Sequence, residues 1–144
     1  MYPPLKQKLL LTSAPTSAQS HTAVIDTLGY SRLALGLAFS TVAETTPEIT
    51  VKLGEGDTTS SFDDIPELVG GGTSGFTIPA PPTNTSVADT MQFDVDLRHR
   101  KRYLLLTVTP FTTKTVTSFA ALGVPVDGPP ATASVEGLMA RVGV

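Results

Sequence analysis

The chain lacks several residue types on which reactive or secreted proteins commonly depend. It has no cysteine and no tryptophan, and only 2 of its 144 residues are histidine. Without cysteine it can form neither a disulfide nor a thiolate metal site, and this composition gives no indication of secretion. With no tryptophan and only 3 tyrosines, the aromatic side chains expected along a sugar-binding groove are scarce.

Charged residues are scarce as well. They make up 16% of the chain, against about 25% in a typical soluble domain. The formal net charge is −3, so the chain as a whole lacks the basic face expected of a nucleic-acid binder. A surface with so few charges indicates partial burial against other subunits, because the cores of protein interfaces are depleted in charge.

No apolar run is long enough for a membrane span or a signal peptide. Residues 33–39 fall far short of the roughly 20 apolar residues that cross a bilayer. Residues 9–11 are shorter than the apolar region of about 7–15 residues in a signal peptide. We therefore expect a soluble protein without a membrane partner.

Threonine is the commonest residue, and short alternating apolar segments are separated by loops rich in glycine and proline. β-Branched residues such as threonine favour strands over helices. Period-two alternation predicts strands at residues 22–26, 33–39, 49–53, 91–97, 103–109 and 114–122. Since no βαβ rhythm accompanies them, the sequence predicts an all-β fold, namely an antiparallel, jelly-roll-like β-sandwich.

The length fits one domain. We predict an extended N-terminal arm at residues 1–19, with one short strand near residues 5–11, and a single sandwich domain at residues 20–144. Residues 54–88 are predicted to form a long Gly/Pro loop that apolar side chains pin to the body, with a short strand near residues 76–78. The tail has helical spacing from residue 135 onwards, but its glycines weaken a helix assignment.

The segment 33–39 alternates large and small side chains. The large ones, from Leu33 to Phe39, are expected to fill the core. Ala34, Gly36 and Ala38 form the opposite face, which is neither polar nor bulky, so that another layer or another chain could approach it closely. These three residues are therefore candidate protein-interface residues.

The residues able to perform acid–base or metal chemistry are scattered. His21 and His99 are far apart in the chain, and no G-x-S-x-G segment accompanies them, so surface positions are expected for both. The acidic stretch at residues 57–67 lacks the spacing of a calcium loop. Asp94 and Asp96 share a strand face roughly 7 Å apart, without cleft-lining aromatic residues. We predict a protein that is not an enzyme and that has no metal or cofactor.

Residues 98–102 contain the densest group of charged side chains in the chain, and we predict that they form a hairpin loop. One interpretation of the basic run is a solvated loop that discourages edge-to-edge aggregation. Another is an ionic contact with an acidic partner protein, and a third is contact with nucleic acid, which four charges would make weak and salt-dependent. The candidate interface residues here are Arg98, Arg100, Lys101 and Arg102.

Residues 22–30 read TAVIDTLGY and residues 94–109 read DVDLRHRKRYLLLTVT, with KLGEGD at 52–57 and SFDDI at 61–65 between them. Together they resemble small structural proteins of tailed bacteriophages, in which a V-x-D-T-x-G-Y strand and turn precedes a D-x-D-L-R-x-R-x-R-Y-L segment. The resemblance covers roughly residues 20–110. It implies a capsid cement or decoration protein on the outer surface of the virion, often a homotrimer, with the major capsid protein as its partner.

A sparsely charged sandwich with extended termini suits such a role, because many weak tethered contacts give a large avidity. The expected protein is made in the host cytoplasm and clamps the capsid shell by non-covalent contacts. Two alternatives stay open. One is a head–tail connector, neck or tail component, in which the same fold would form a ring. The other is a carbohydrate-binding or hydrolytic jelly roll.

Overall fold

The computed structural model describes residues 6–13, 19–39, 49–78, 89–111, 115–123 and 140–143. These residues form nine strands and no helix. The strands are β1 (Lys6–Ser13), β2 (His21–Asp26), β3 (Arg32–Phe39), β4 (Ile49–Gly56), β5 (Asp63–Val69), β6 (Asp89–Asp96), β7 (Tyr103–Pro110), β8 (Val116–Gly123) and β9 (Ala140–Gly143). The prediction of an all-β fold is confirmed.

The strand pairing is that of one long antiparallel ribbon that has been rolled up. β1 pairs with β8, β2 with β7, β3 with β6 and β4 with β5. The result is sheet A, with the order β1-β8-β3-β6-β9, and sheet B, with the order β2-β7-β4-β5. This is the strand order of a jelly roll, with β9 added in parallel to the edge strand β6.

The strand pairing and the described connections distinguish the two ends of the sandwich. Residues 27–31, 57–62 and 97–102 lie at one end, which we call the arch end; the other end, where Ile49 pairs with Pro110, we call the far end. The segment 97–102 connects β6 in sheet A to β7 in sheet B. The predicted hairpin is therefore wrong, because alternation marks a strand without showing the sheet to which it belongs.

The core lies between the two sheets. The large residues of β3, from Leu33 to Phe39, are all buried, as predicted. Phe93 and Val95 of β6 meet them from the neighbouring strand, and Leu53 and Leu106 lie on the facing sheet. Period-two burial along β3 and β7 leaves their alternate residues on the outer faces.

The strand predicted near residues 5–11 is β1, and it is an edge strand of sheet A. It pairs with β8 from Lys6 opposite Leu122 to Ser13 opposite Val116, with a bulge after Leu9. This part of the expected arm therefore belongs to the sandwich. Residues 1–5 and 14–18 lie outside the described residues, as does the segment 124–139 before β9.

The predicted long loop contains a strand. β5 lies inside it and buries Ile65 and Leu68 in the core, so the loop prediction is wrong for this part. Pro66 lies within β5, and proline is tolerated there because β5 is the edge of sheet B. The pairing with β4 shifts between Lys52 and Gly54, which breaks the regular alternation.

The rest of that loop is held as expected by apolar side chains. Ile78 is buried, and Phe76 packs edge-on against Phe93 with ring centroids 5.4 Å apart. In place of the short strand predicted near residues 76–78, a single bridge joins Gly70 to Phe76. Residues 79–88 lie outside the described part of the chain.

Candidate protein-interaction surfaces

The two sequence motifs meet at the arch end. The carboxylate of Asp26 accepts hydrogen bonds from Nε of Arg102 at 2.9 Å and from Nη2 at 2.7 Å. Thr27 donates its backbone N–H at 3.0 Å and its Oγ1 hydroxyl at 2.6 Å to the carbonyl oxygen of Arg102. The guanidinium lies 4.7 Å from the centroid of the Tyr103 ring. The D-T and R-Y parts of the motifs are therefore contact partners that join one arch to the other.

The turn after β2 is tightly held. The carboxylate of Asp26 accepts the N–H of Leu28 at 3.1 Å, and the carbonyl of Thr27 accepts the N–H of Tyr30 at 3.1 Å. Gly29 has a φ of 85°, a conformation that side-chain-bearing residues rarely adopt. The turn displays Leu28 with 65% of its surface exposed.

Each lysine and arginine of the basic run pairs with a carboxylate of the same chain. The pairs are Arg98 with Asp96, Arg100 with Glu55, Lys101 with Asp63, and Arg102 with Asp26. The backbone N–H of Lys101 also donates to Glu55 at 3.1 Å. A partner that bound this run through its charges would have to compete with these internal carboxylates.

The ion pairs shift the acid–base equilibria of their members. Hydrogen bonds from Arg98 hold the pKa of Asp96 well below its usual range, and the ammonium of Lys101 lowers the pKa of Asp63 in the same way. Hydrogen bonding to Asp26 raises the pKa of Arg102. At neutral pH these pairs are therefore fully charged, and a change near pH 7 does not open them.

The residues considered for catalysis do not converge. His21 lies at the far end of β2 and pairs with Val108, whereas His99 lies in the arch between β6 and β7. Asp94 is 9% exposed and accepts a hydrogen bond from Nη2 of Arg32 at 3.0 Å, and the Asp96 carboxylate binds the Arg98 guanidinium. Within the described ranges no group of three His, Cys, Asp or Glu residues could hold a metal ion. That part of the chain also has no helix of the length and apolarity needed to cross a membrane.

The outer face of sheet A carries an aromatic side chain that the sequence reasoning missed. Gly36 of β3 pairs directly with Phe119 of β8, and a Cβ at position 36 would collide with the Phe119 ring. The ring therefore lies over the glycine, with 53% of the residue exposed. Small residues flank it, and we call this set the Phe119 face: Ala34, Gly36, Ala38, Thr117, Phe119 and Ala121.

The Phe119 face modifies one expectation about Ala34, Gly36 and Ala38. The close approach that these small residues allow is made by the chain's own aromatic ring. Phe119 itself is 53% exposed and occupies an outward position of β8.

A groove of about 550 Å³ opens at the far end. Phe111, at its rim, is 55% exposed. Among the described residues no charged side chain lines it, and the lining residues are Ile49, Thr50, Gly70, Gly71, Thr77, Ile78 and Phe111. The groove therefore suits an uncharged, largely apolar occupant.

The comparisons with known proteins do not indicate what these surfaces bind. No protein-family model matches the chain. No curated protein matches it with significance either. What the described residues bring together is a set of exposed apolar surfaces on a two-sheet body, with the charged motifs engaged in internal pairs.

Proposed function

We propose that this chain is a capsid decoration protein, which binds the outer surface of the shell of a tailed bacteriophage as a homotrimer and stabilises it. The observation that supports this most is that the motif segments carrying the resemblance meet at the arch end, where Asp26 and Thr27 bind Arg102. Motif residues with that role stabilise the fold and do not form a reaction centre. Decoration of a shell needs only a rigid fold with surfaces complementary to it.

The surface best suited to the shell is the Phe119 face. An exposed aromatic ring amid small residues can pack closely against a partner, and aromatic side chains are enriched at interfaces. Each copy would contribute a modest contact, and the many copies on one shell would add to a large avidity. Arg98, Arg100, Lys101 and Arg102 stay secondary candidates, since each already has a carboxylate partner.

Add-back of purified protein to expanded shells that lack it tests the role. We expect the wild-type protein to bind and to raise the temperature at which the shells rupture. Phe119→Asp should weaken binding at least tenfold, because it places a charge in an apolar contact. Leu28→Asp is the matched control, since Leu28 is also an exposed apolar residue but lies at the arch end. Failure of the wild-type protein to bind shells contradicts the proposal.

The contribution of the basic run is tested separately. The variant Asp26→Arg with Arg102→Asp keeps an ion pair at that position and exchanges its two charges. We expect shell binding to change less than threefold in this variant and to depend only weakly on salt. If this variant loses shell binding and the binding of the wild-type protein falls steeply with salt, the main contact is made by the basic run and not by the Phe119 face.

The oligomeric state of the purified protein, measured from its mass in solution, distinguishes a decoration protein from the connector alternative. A trimer agrees with the proposal, whereas a hexameric or dodecameric ring would favour a neck or tail component. Binding to a glycan array would favour the carbohydrate-binding alternative.

A further inference from the structure

The floor of the far-end groove is fixed by the backbone. The N–H of Gly70 donates to the carbonyl of Val51, and the N–H of Gly71 donates to the carbonyl of Phe76, both at 2.9 Å. At Gly71 the space that a Cβ would take is open, whereas at Gly70 it is filled by the side chain of Ile78. The half-exposed Phe111 lines the same groove. The groove is thus preformed for a short uncharged segment with apolar side chains.

The N-terminal segment of the chain has that chemistry. Residues 1–5 read MYPPL and include Tyr2, which is the only aromatic residue outside the described ranges. Two consecutive prolines favour the extended polyproline conformation, which loses little entropy on binding, and such segments dock in apolar grooves with aromatic walls. By contrast, residues 79–88 read PAPPTNTSVA, with valine as their largest aliphatic side chain.

The segment cannot reach the groove of its own molecule. It precedes Lys6, which lies at the arch end because it pairs with Leu122, one residue before the end of β8. The groove lies at the far end, beside Ile49. From Gly56 to Ile49, β4 spans roughly 23 Å at about 3.3 Å per residue, whereas five extended residues reach at most about 18 Å. The separation of the two sheets, about 10 Å, adds to the distance.

We propose that the far-end groove binds residues 1–5 of a second copy of this chain. Tyr2 and Leu5 are the apolar side chains that enter it, beside Phe111. The contact is head-to-tail, because the arm of one copy meets the groove of the next, and such contacts generate closed rings when the rotation allows it. Arm docking needs no capsid shell, so it can hold or fail independently of the decoration role.

Disulfide trapping tests the contact directly, because the chain has no cysteine. Tyr2→Cys and Thr77→Cys are purified separately, mixed and oxidised, and we expect a disulfide-linked pair of the two variants. Ser60→Cys, an exposed position at the arch end, replaces Thr77→Cys in the control and should give at least tenfold less product. Equal yields with both partners, or no product with Thr77→Cys, would overturn the proposal.

Peptide binding gives a second readout. A peptide of the sequence MYPPL with an amidated C-terminus is titrated into the isotope-labelled full-length variant with Tyr2→Ser and Leu5→Ser. We expect NMR shifts to centre on Gly70, Gly71 and Thr77, and Thr77→Arg to weaken binding at least tenfold. Absence of shifts, or shifts centred on the Phe119 face, contradicts the proposal.

Sedimentation of the intact chain completes the test. We expect the wild-type protein to be oligomeric, and both the Tyr2→Ser, Leu5→Ser variant and Phe111→Ala to weaken self-association at least tenfold. Leu28→Ala, an exposed apolar position remote from the groove, should associate like the wild type. A monomeric wild type, or an oligomer that the arm variant leaves intact, overturns the proposal.

Discussion

At the scale of single residues, Gly36 is placed where glycine is ordinarily unfavourable. It lies in the middle of β3, a central strand of sheet A, and glycine in a strand interior has no side chain to pack. Here the ring of Phe119, directly opposite on β8, covers the empty position. A cross-strand aromatic of this kind is a known remedy for a glycine in a sheet.

Substitution of Gly36 should therefore act through Phe119. The new Cβ of Gly36→Ala meets the far end of a half-exposed ring, so the ring can move into solvent. We expect a loss of about 1 kcal/mol in the free energy of unfolding, at the low end of overpacking costs. In Gly56→Ala the Cβ meets the backbone carbonyl oxygen of Ser61, which cannot yield easily, and we expect about 2–3 kcal/mol.

Urea unfolding of both variants, each with and without Phe119→Ala, checks this prediction. The cost of Gly36→Ala should fall to near zero once the ring is removed, because the two residues are in contact and their effects couple. The cost of Gly56→Ala should stay unchanged. If Gly36→Ala costs the same with and without the ring, the ring does not fill the glycine site.

At the scale of the elements, period-two alternation found most strands of the sandwich and missed β5 and also β9, which lies in the tail where the sequence has helical spacing. Two aspartates, a proline and a bulge remove the alternation in β5, and the buried Ile65 and Leu68 are three residues apart. The sequence pattern also did not show to which of the two sheets a strand belongs. Pairing between β3 and β8 joins residues about 80 positions apart and has no local signal. For that reason the small face of β3 was predictable and its partner Phe119 was not.

β5 should contribute to stability as a core strand rather than as a loop. Ile65 is 1% exposed, and truncation of a buried isoleucine to alanine costs about 2–5 kcal/mol. We expect Ile65→Ala to lower the free energy of unfolding in urea by that amount. Glu67→Ala, at an exposed position of the same strand, should change it by less than about 0.5 kcal/mol. Similar small effects at both positions would mean that β5 contributes little to the core.

At the scale of the whole molecule, most of the cationic side chains are engaged internally. Six of the ten Lys and Arg residues pair with carboxylates of the same chain. In the part of the chain that the structure describes, the Phe119 face and the lining of the far-end groove include no charged residue. A body that neutralises its charges within itself and exposes apolar surfaces is suited to association with neighbours, because charge depletion is typical of interface cores.

The same internal pairing predicts how stability depends on pH. Asp63 and Asp96 have lowered pKa values in the folded protein, so the unfolded chain binds protons more readily than the folded one. Their contribution is fully present above the unfolded value of about 4, and it is lost as the pH falls through the lower folded values. We expect the urea midpoint to be level from pH 7 to about pH 5 and to decline towards pH 2.

Because both carboxylates are exposed, 0.5 M salt should reduce their part of this decline. The variant Asp63→Asn with Asp96→Asn should show a shallower acid decline than the wild type at low salt. An acid decline as steep as that of the wild type in this variant would exclude these two ion pairs as its source.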